Sequence, residues 1–379
     1  MLGYYLKKAV GKTFPAVYDL LSRNIRYKRA NGRLIPCHFL GLFVRYDGKV
    51  FPCCNTRNIE PLRICHIEDP KIFDMIKSYG KTCSCDFYKL RRAHPDEKSK
   101  YHLLSVEVSL ACQADCAMCC VGAPSWRGRY DYYKALTTLI EHTKPEILLI
   151  QGGEVLVQEK TLQWVSELRT SYPDMKIYVV TNGNISCDKL AIVEDLFDRA
   201  YVSFVGFQPE TYKKIMGLEL SKTITFVEKL IERKKIQIFL KYLVTPINAH
   251  EAELFMVWSL SISAKRVSFD GASNADYINL DTPDNYWRKI LQRTSKGIKS
   301  IIIRNRELIQ RDKIRIAFDS QIMELFDVDD VFIRENELKE SVINRSQSRL
   351  FGLDTCDDFQ DWPSDRENVI DASHNDKIK

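Results

Sequence analysis

No stretch of this 379-residue chain stays apolar for anything near the ~18 residues that a membrane-spanning helix requires, so no membrane span is expected. The N-terminal Met1-Leu-Gly-Tyr-Tyr-Leu-Lys-Lys lacks the basic-then-apolar order of a secretory signal. A cytoplasmic location is therefore expected, and with it reduced thiols. The twelve cysteines then do not read as a disulfide framework, because cytosolic thiols pass to metals or to catalysis instead. The chain also lacks an internal repeat, which argues against a solenoid, and has no low-complexity segment. A strong net charge is missing as well, since +6 is modest for this length.

The distribution of charge says more than its sum. Residues 1 to 36 carry eight Lys or Arg against the single acid Asp19, whereas residues 354 to 379 carry eight Asp or Glu against three bases. The basic end suits an anionic partner such as RNA, a phosphosugar or membrane headgroups, although a solvated helical face is the commoner cause. The acidic end reads as a poorly ordered tail. Hydrophobic content of 45% and charged content of 28% describe a globular protein. Its length suits one large domain with appendages.

From residue 103 onward, apolar strand candidates alternate with amphipathic helix candidates. The strands are Leu104 to Leu110, Glu146 to Ile150, Lys176 to Val180, Ala200 to Phe204, Gln237 to Val244 and Arg266 to Phe269. Helices centred near Tyr133, Trp164, Val193, Phe226 and Leu254 separate them. Alternation of this kind implies parallel pairing through crossover helices, hence an α/β fold with a closed or partly open barrel. Ligands then bind at the carboxyl ends of the strands. After Phe269 the pattern becomes helical and charged, from Asp284 through Arg349.

Ten of the twelve cysteines fall between Cys37 and Cys120, and three of them stand out. Cys112-Gln-Ala-Asp-Cys116-Ala-Met-Cys119 is C-x3-C-x2-C at the end of the first strand candidate. Three thiolates at that spacing can hold three irons of a [4Fe-4S] cube and leave the fourth open. A zinc knuckle is the bland alternative. A second segment, Ile147-Leu-Leu-Ile-Gln-Gly152-Gly153-Glu154, is an apolar strand ending in two glycines and a carboxylate. Glycines there admit a close backbone approach, and a carboxylate can accept hydrogen bonds from an ammonium group. Alone, it would pass for an ordinary strand-to-helix turn.

Together, one helix and one strand apart, the two segments resemble the signature of the radical S-adenosylmethionine (radical SAM) enzymes. The resemblance implies a partial (β/α)6 barrel. It also implies that the amino and carboxylate groups of SAM chelate the open iron, with Gly152, Gly153 and Glu154 on the amino group. Thr181-Asn182-Gly183 closes the third strand and Ser203 lies in the fourth, positions that in related enzymes contact the SAM carboxylate or ribose. Met118 stands where the family often has an aromatic residue against adenine, and its thioether can pack on a ring edge. The family's Ser-x-Asp-Gly pattern has Val205 in place of its Asp, which puts any role of that carboxylate in doubt. Pro209 to Gly217 also looks like a helix of the family, although a helix with a Gly stop needs no function.

Ahead of the barrel, Cys37 to Cys54 pairs alternating apolar residues around Asp47-Gly48, a hairpin signal that brings Cys37 near Cys53. A helix candidate from Pro70 to Tyr79 leads to Cys83-Ser-Cys85, read as a loop. Four thiolates so gathered can enclose a second [4Fe-4S] cluster, and zinc fits them too. Cys37, Gly48 and Cys53, spaced C-x10-G-x4-C, resemble the opening of the SPASM and twitch auxiliary-cluster modules. Those modules normally follow the barrel, and here the closing cysteines, Cys83 and Cys85, are compressed to C-x-C. One auxiliary cluster is therefore expected, and Cys54 or Cys65 can replace one of its four ligands. Cys120, Cys187 and Cys356 are read as spare or incidental thiols.

The expected organisation is a basic segment over 1–34, an auxiliary module over 35–100, and the barrel over 101–280. A helical C-terminal region over 281–352 and an acidic tail over 353–379 follow. The resemblance implies reductive cleavage of SAM to a 5′-deoxyadenosyl radical that abstracts hydrogen from a substrate carbon. It also implies an electron donor such as flavodoxin or ferredoxin. The substrates weighed are a ribosomally made peptide, a small carbohydrate or aminocyclitol, and RNA. RNA comes third, because no recognisable RNA-binding module accompanies the basic end. A non-catalytic iron-sulfur protein for electron transfer or regulation is the competing class. Gly152, Gly153, Glu154 and Ser203 speak against it, since it would need no SAM-binding strand ends.

Overall fold

Runs of Val, Ile, Leu and aromatic residues recur along the chain, and in the computed structural model they pair into one eleven-stranded sheet and one of three strands. The structure describes residues 34–36, 41–52, 60, 63–78, 82–85, 90–93, 101, 103–116, 118–119, 121–123, 128, 130–271, 284–319 and 343–346. The N-terminal portion comprises β1 (Leu34–Pro36), β2 (Gly41–Val44), β3 (Lys49–Phe51), β4 (Cys65–His66), α1 (Ile72–Ser78), β5 (Thr82–Cys85) and β6 (Leu90–Ala93). The alternating portion runs β7 (Leu103–Glu107), α2 (Tyr133–Thr143), β8 (Ile147–Gln151), α3 (Glu159–Ser171), β9 (Lys176–Thr181), α4 (Leu190–Leu196) and β10 (Arg199–Phe204). It continues through α5 (Pro209–Met216), α6 (Leu220–Arg233), β11 (Gln237–Val244), α7 (Ala252–Ser261) and β12 (Arg266–Gly271). The chain then adds α8 (Asp284–Arg304), α9 (Arg306–Arg311), β13 (Arg315–Asp319) and β14 (Ile343–Ser346).

Strands β7 to β12 pair in sequence order, all parallel, as the alternation of strands and helices leads one to expect. The sheet does not stop there. β13 pairs in parallel with β12, and β14 with β13, so two strands join the helices of the C-terminal region. Arg315–Asp319 escapes a reading for strands because it is a five-residue run directly after charged helices. Its Ile316, Ala317 and Phe318 are fully buried, as befits a parallel strand covered on both faces. At the other edge β2 pairs in parallel with β7, with Phe43 opposite Ser105, and the β2–β3 hairpin turns where Asp47-Gly48 signals it. The hairpin thus extends the barrel sheet.

Side chains alternate between the two faces of this sheet. Leu104, Val106, Leu148, Ile150, Val179, Val202, Leu240, Tyr242 and Phe269 face the helices in the main core. α6 shows why these helices form: Leu220, Thr223, Phe226, Val227 and Leu230 recur at helical spacing and are all buried. The opposite face turns into the barrel lumen. Its floor is a separate apolar cluster of Leu103, Ile147, Leu149, Tyr201 and Phe239. Toward the carboxyl ends the lumen face becomes polar, with Ser105 and Glu107 on β7, Gln151 on β8, Ser203 on β10, Lys241 on β11, and Ser268 and Asp270 on β12.

One expectation for the N-terminal portion is corrected. Cys83 and Cys85 lie in a strand, not a loop: β5 runs antiparallel to β6, with Cys83 opposite Arg92 and Cys85 opposite Leu90. No helix among the described residues is long and apolar enough to cross a membrane.

Candidate active site

Cys112, Cys116 and Cys119 sit on the loop that leaves the carboxyl end of β7, and all three are half-buried. The Sγ of Cys112 accepts a hydrogen bond from the backbone N–H of Ala114 at 3.4 Å, and that of Cys119 from Ala123 at 3.3 Å. The bond to Cys112 favours its thiolate, the form that ligates metal. Burial pushes the Cys112 thiol the other way, up to about 11, and the charges of Glu154 and Cys119 add to the rise. A bound cation reverses that balance by deprotonating the thiol outright. Three thiols on one loop, two of them already receiving N–H bonds, are a donor set that fits a cube with one iron open. Among the described residues no trio of His, Cys, Asp or Glu converges on a single metal ion. A cube takes its thiolates on separate irons and needs no such convergence.

The two glycines after β8 pack closely against the start of this loop. Gly153 N–H donates to Ser109 O at 3.0 Å and Glu154 N–H to Ala111 O at 2.9 Å. A Cβ on Gly153 would lie 2.2 Å from Ala111 O, and one on Gly152, whose φ is +151°, would lie 2.6 Å from Ser109 O. Both obstacles are backbone, which cannot swing aside as a side chain can. Gln158 adds a clamp, donating through Nε2 to the carbonyls of Ser109 and Ala111, each at 3.0 Å.

Glu154 is fully buried, and its carboxylate gathers the neighbouring strand end. Oε1 accepts from Leu156 N at 3.0 Å and from Thr181 Oγ1 at 2.8 Å, while Oε2 accepts from Asn182 N at 2.7 Å. Burial pushes its carboxyl up to about 7, against the opposing pull of these three bonds. The side chain expected to meet an ammonium group therefore also links β8 to β9. Thr181 Oγ1 in turn accepts from Gly183 N at 2.9 Å. Asn182 Oδ1 accepts from Gln113 Nε2 at 3.2 Å, so a residue between the first two cysteines is tied to the third strand end.

Helix α5 holds the far side of the cysteine loop, a role not apparent from its sequence. Gly217, at φ +70°, stops the helix, and Asp115 N–H donates to the Met216 carbonyl at 2.8 Å. Met118 is buried in the main core. Ser203 is half-buried on the lumen face and stands in register with Lys241 of β11. Val205 is buried, and its carbonyl accepts from Asn248 Nδ2 at 2.6 Å.

Lys241 and Asp270 were not foreseen. Lys241 Nζ lies 3.3 Å from Asp270 Oδ2 across adjacent strands, with Asp270 2% exposed. The sequence does hold a signal for each: a lysine within Gln237–Val244 and an aspartate after Val-Ser-Phe are charges inside apolar strands. Gln113 gave no such signal, since its partners lie 69 and 71 residues away.

Of the auxiliary ligands, Cys83 and Cys85 stand two positions apart on β5. Cys37, Cys53 and Cys54 lie outside the described residues, as does Cys120. Cys65, the other substitute, is buried in the main apolar core, where burial pushes its thiol up to about 11. Cys187 is half-buried.

No protein-family model and no curated protein sequence matches this chain. Among solved structures it is similar to SuiB of Streptococcus suis bound to S-adenosylmethionine, at 11% identity and a TM-score of 0.48, over 83% of this chain and 80% of that one. It is also similar to SuiB bound to its precursor peptide SuiA, at 12% identity and a TM-score of 0.47, over 65% of this chain and 57% of that one. A third similarity is to anSMEcpe with bound AdoMet, at 16% identity and a TM-score of 0.45, over 57% of this chain and 64% of that one. The matched part is thus under two thirds of the peptide-bound SuiB chain and of anSMEcpe. Similarity at this level assigns no residue a role.

Proposed function

We propose that this chain is a radical SAM enzyme. One observation carries the reading: the C-x3-C-x2-C loop, Gly152-Gly153-Glu154 and Thr181-Asn182 meet at the carboxyl ends of three consecutive parallel strands, joined by the hydrogen bonds that Gly153, Glu154, Gln113 and Asn182 donate. Cys112, Cys116 and Cys119 would hold a [4Fe-4S] cluster. Gly152, Gly153, Glu154, Thr181, Asn182, Ser203 and Met118 would border SAM. Loaded with both, such a site supplies a 5′-deoxyadenosyl radical that abstracts hydrogen from a substrate carbon. The chain's own part is to fix the loop against two strand ends and to give a walled lumen in which substrate is oriented and water excluded.

The same reading takes Cys37, Cys53, Cys83 and Cys85 as ligands of one auxiliary [4Fe-4S] cluster in a SPASM- or twitch-like module over 35–100. The substrate is a peptide or a small carbohydrate or aminocyclitol, and the electron comes from a flavodoxin or ferredoxin. The test is anaerobic reconstitution with iron and sulfide, followed by SAM and dithionite. Formation of 5′-deoxyadenosine and methionine is expected, and a reconstituted protein that binds iron but never cleaves SAM contradicts the proposal.

A further inference from the structure

The polar upper part of the lumen contains a buried opposite-charge pair on the wall away from the cysteine loop. We propose that Lys241 and Asp270 form a substrate subsite that seats a hydroxyl group, as carried by a polyol or by a seryl or threonyl side chain. This deepens the reading of the chain as a radical SAM enzyme and rests on it for calling the ligand a substrate.

Three observations lead there. First, the acid of the pair is not fully satisfied. Asp270 is 2% exposed and its Oδ2 lies 3.3 Å from Lys241 Nζ, while its Oδ1 has no hydrogen-bond donor among the described residues. A buried carboxylate left in that state is costly, and a ligand that donates to it recovers the loss. Secondly, the pair presents one group of each sign, so a ligand atom seated against it meets an acceptor and a donor together. Thirdly, the complementary group must donate to Asp270 and accept from Lys241 within the reach of one ion pair. A hydroxyl does both from a single oxygen; a carbonyl only accepts and an amide N–H only donates. The register adds neighbours of the same chemistry, since Ser203 and Ser268 stand beside Lys241 on the two flanking strands. Below them the lumen face carries the rings of Tyr201 and Phe239, with the buried guanidiniums of Arg199 and Arg266 set 4.2 and 5.7 Å from the Phe239 ring centroid.

The pair is tested by replacing both members together, Lys241→Met with Asp270→Leu. Exchanging a buried ion pair for apolar side chains of similar volume preserves folding better than removing either partner alone. Binding of myo-inositol and of N-acetyl-L-serinamide to the reconstituted protein is measured by saturation-transfer NMR, with and without SAM, and N-acetyl-L-alaninamide serves as the control without a hydroxyl. The wild type should bind at least one hydroxylated probe, and the double variant should bind it about tenfold more weakly or worse, as loss of a charge-assisted hydrogen bond requires. Binding of the inositol identifies a polyol source and binding of the serinamide a peptide source; either supports the subsite. Equal binding by the variant, equal binding of the alaninamide, or no binding of either probe overturns it. SAM affinity should be the same in both proteins. Failure of the wild type to bind SAM counts against the enzyme reading, not against the subsite.

Discussion

The carboxylate of Glu154 accepts a hydrogen bond from the hydroxyl of Thr181 at 2.8 Å, joining the end of β8 to the end of β9 across 27 residues of sequence. Because Glu154 N–H also donates to Ala111 O, one residue ties the cysteine loop, its own turn and the next strand together. The three segments expected to border cluster and SAM are thus mechanically coupled, and disturbing one should be felt at the others.

Glu154→Ala removes the carboxylate but keeps the backbone N–H that holds the cysteine loop, so it should leave iron binding intact while weakening SAM binding. Loss of charge-assisted bonds in a buried site costs about 1.5 to 3 kcal/mol, or roughly 10- to 150-fold in affinity. The N–H groups of Leu156 and Asn182 lose their acceptor at the same time, so chemical denaturation should show a loss of similar size. An unchanged SAM titration would confine Glu154 to a structural role.

Gly153→Ala tests the contact between the glycine turn and the cysteine loop. The added Cβ would meet the Ala111 carbonyl at 2.2 Å, and relieving such a backbone clash costs about 1 to 3 kcal/mol. The displaced loop should lose the open cluster, lowering reconstituted iron by about four per chain. Full iron with full SAM cleavage would contradict the packing described.

How far the sequence could be read depended on the range of the contacts involved. Local patterns sufficed for the strands: Gln237–Val244 is found at its expected ends, and the other five barrel strands differ only at their termini. The stop of α5 at Gly217 was equally local. Contacts between distant residues were not legible. The glycine pair implies room for a ligand; that a Cβ at Gly152 or Gly153 would also meet the backbone of Ser109 to Ala111 is not written in the sequence. Gln113, Lys241 and Asp270 acquire meaning only through register and loop docking. β13 was missed because five residues after a charged helix carry little periodicity, and its partner strand supplies the evidence.

Asp270 should leave a mark on the pH dependence of stability. Burial raises its carboxyl above the ordinary value of 3.8, while Lys241 and, more weakly, Arg266 pull it down. A carboxyl raised in the folded chain binds more protons folded than unfolded, so stability falls as pH rises above 3.8 and levels off once the folded group ionises. Asp270→Asn should lose that decline. Urea unfolding of the metal-free protein across this range checks it, and identical slopes in the two proteins would contradict the burial argument.

The proposed auxiliary site is tested by metal content. Replacing Cys37, Cys53, Cys83 and Cys85 by Ala should lower iron by about four per chain and leave SAM cleavage in place, while substrate turnover fails. About one zinc and only about four irons in the wild type would instead make the N-terminal site a zinc site.

The central claim is tested most directly by one variant, Cys112→Ala with Cys116→Ala and Cys119→Ala, reconstituted anaerobically beside the wild type and assayed for iron and for 5′-deoxyadenosine. The wild type should hold about eight irons, and the triple variant about half of that with no SAM cleavage at all. Cleavage of SAM by the triple variant would contradict the account.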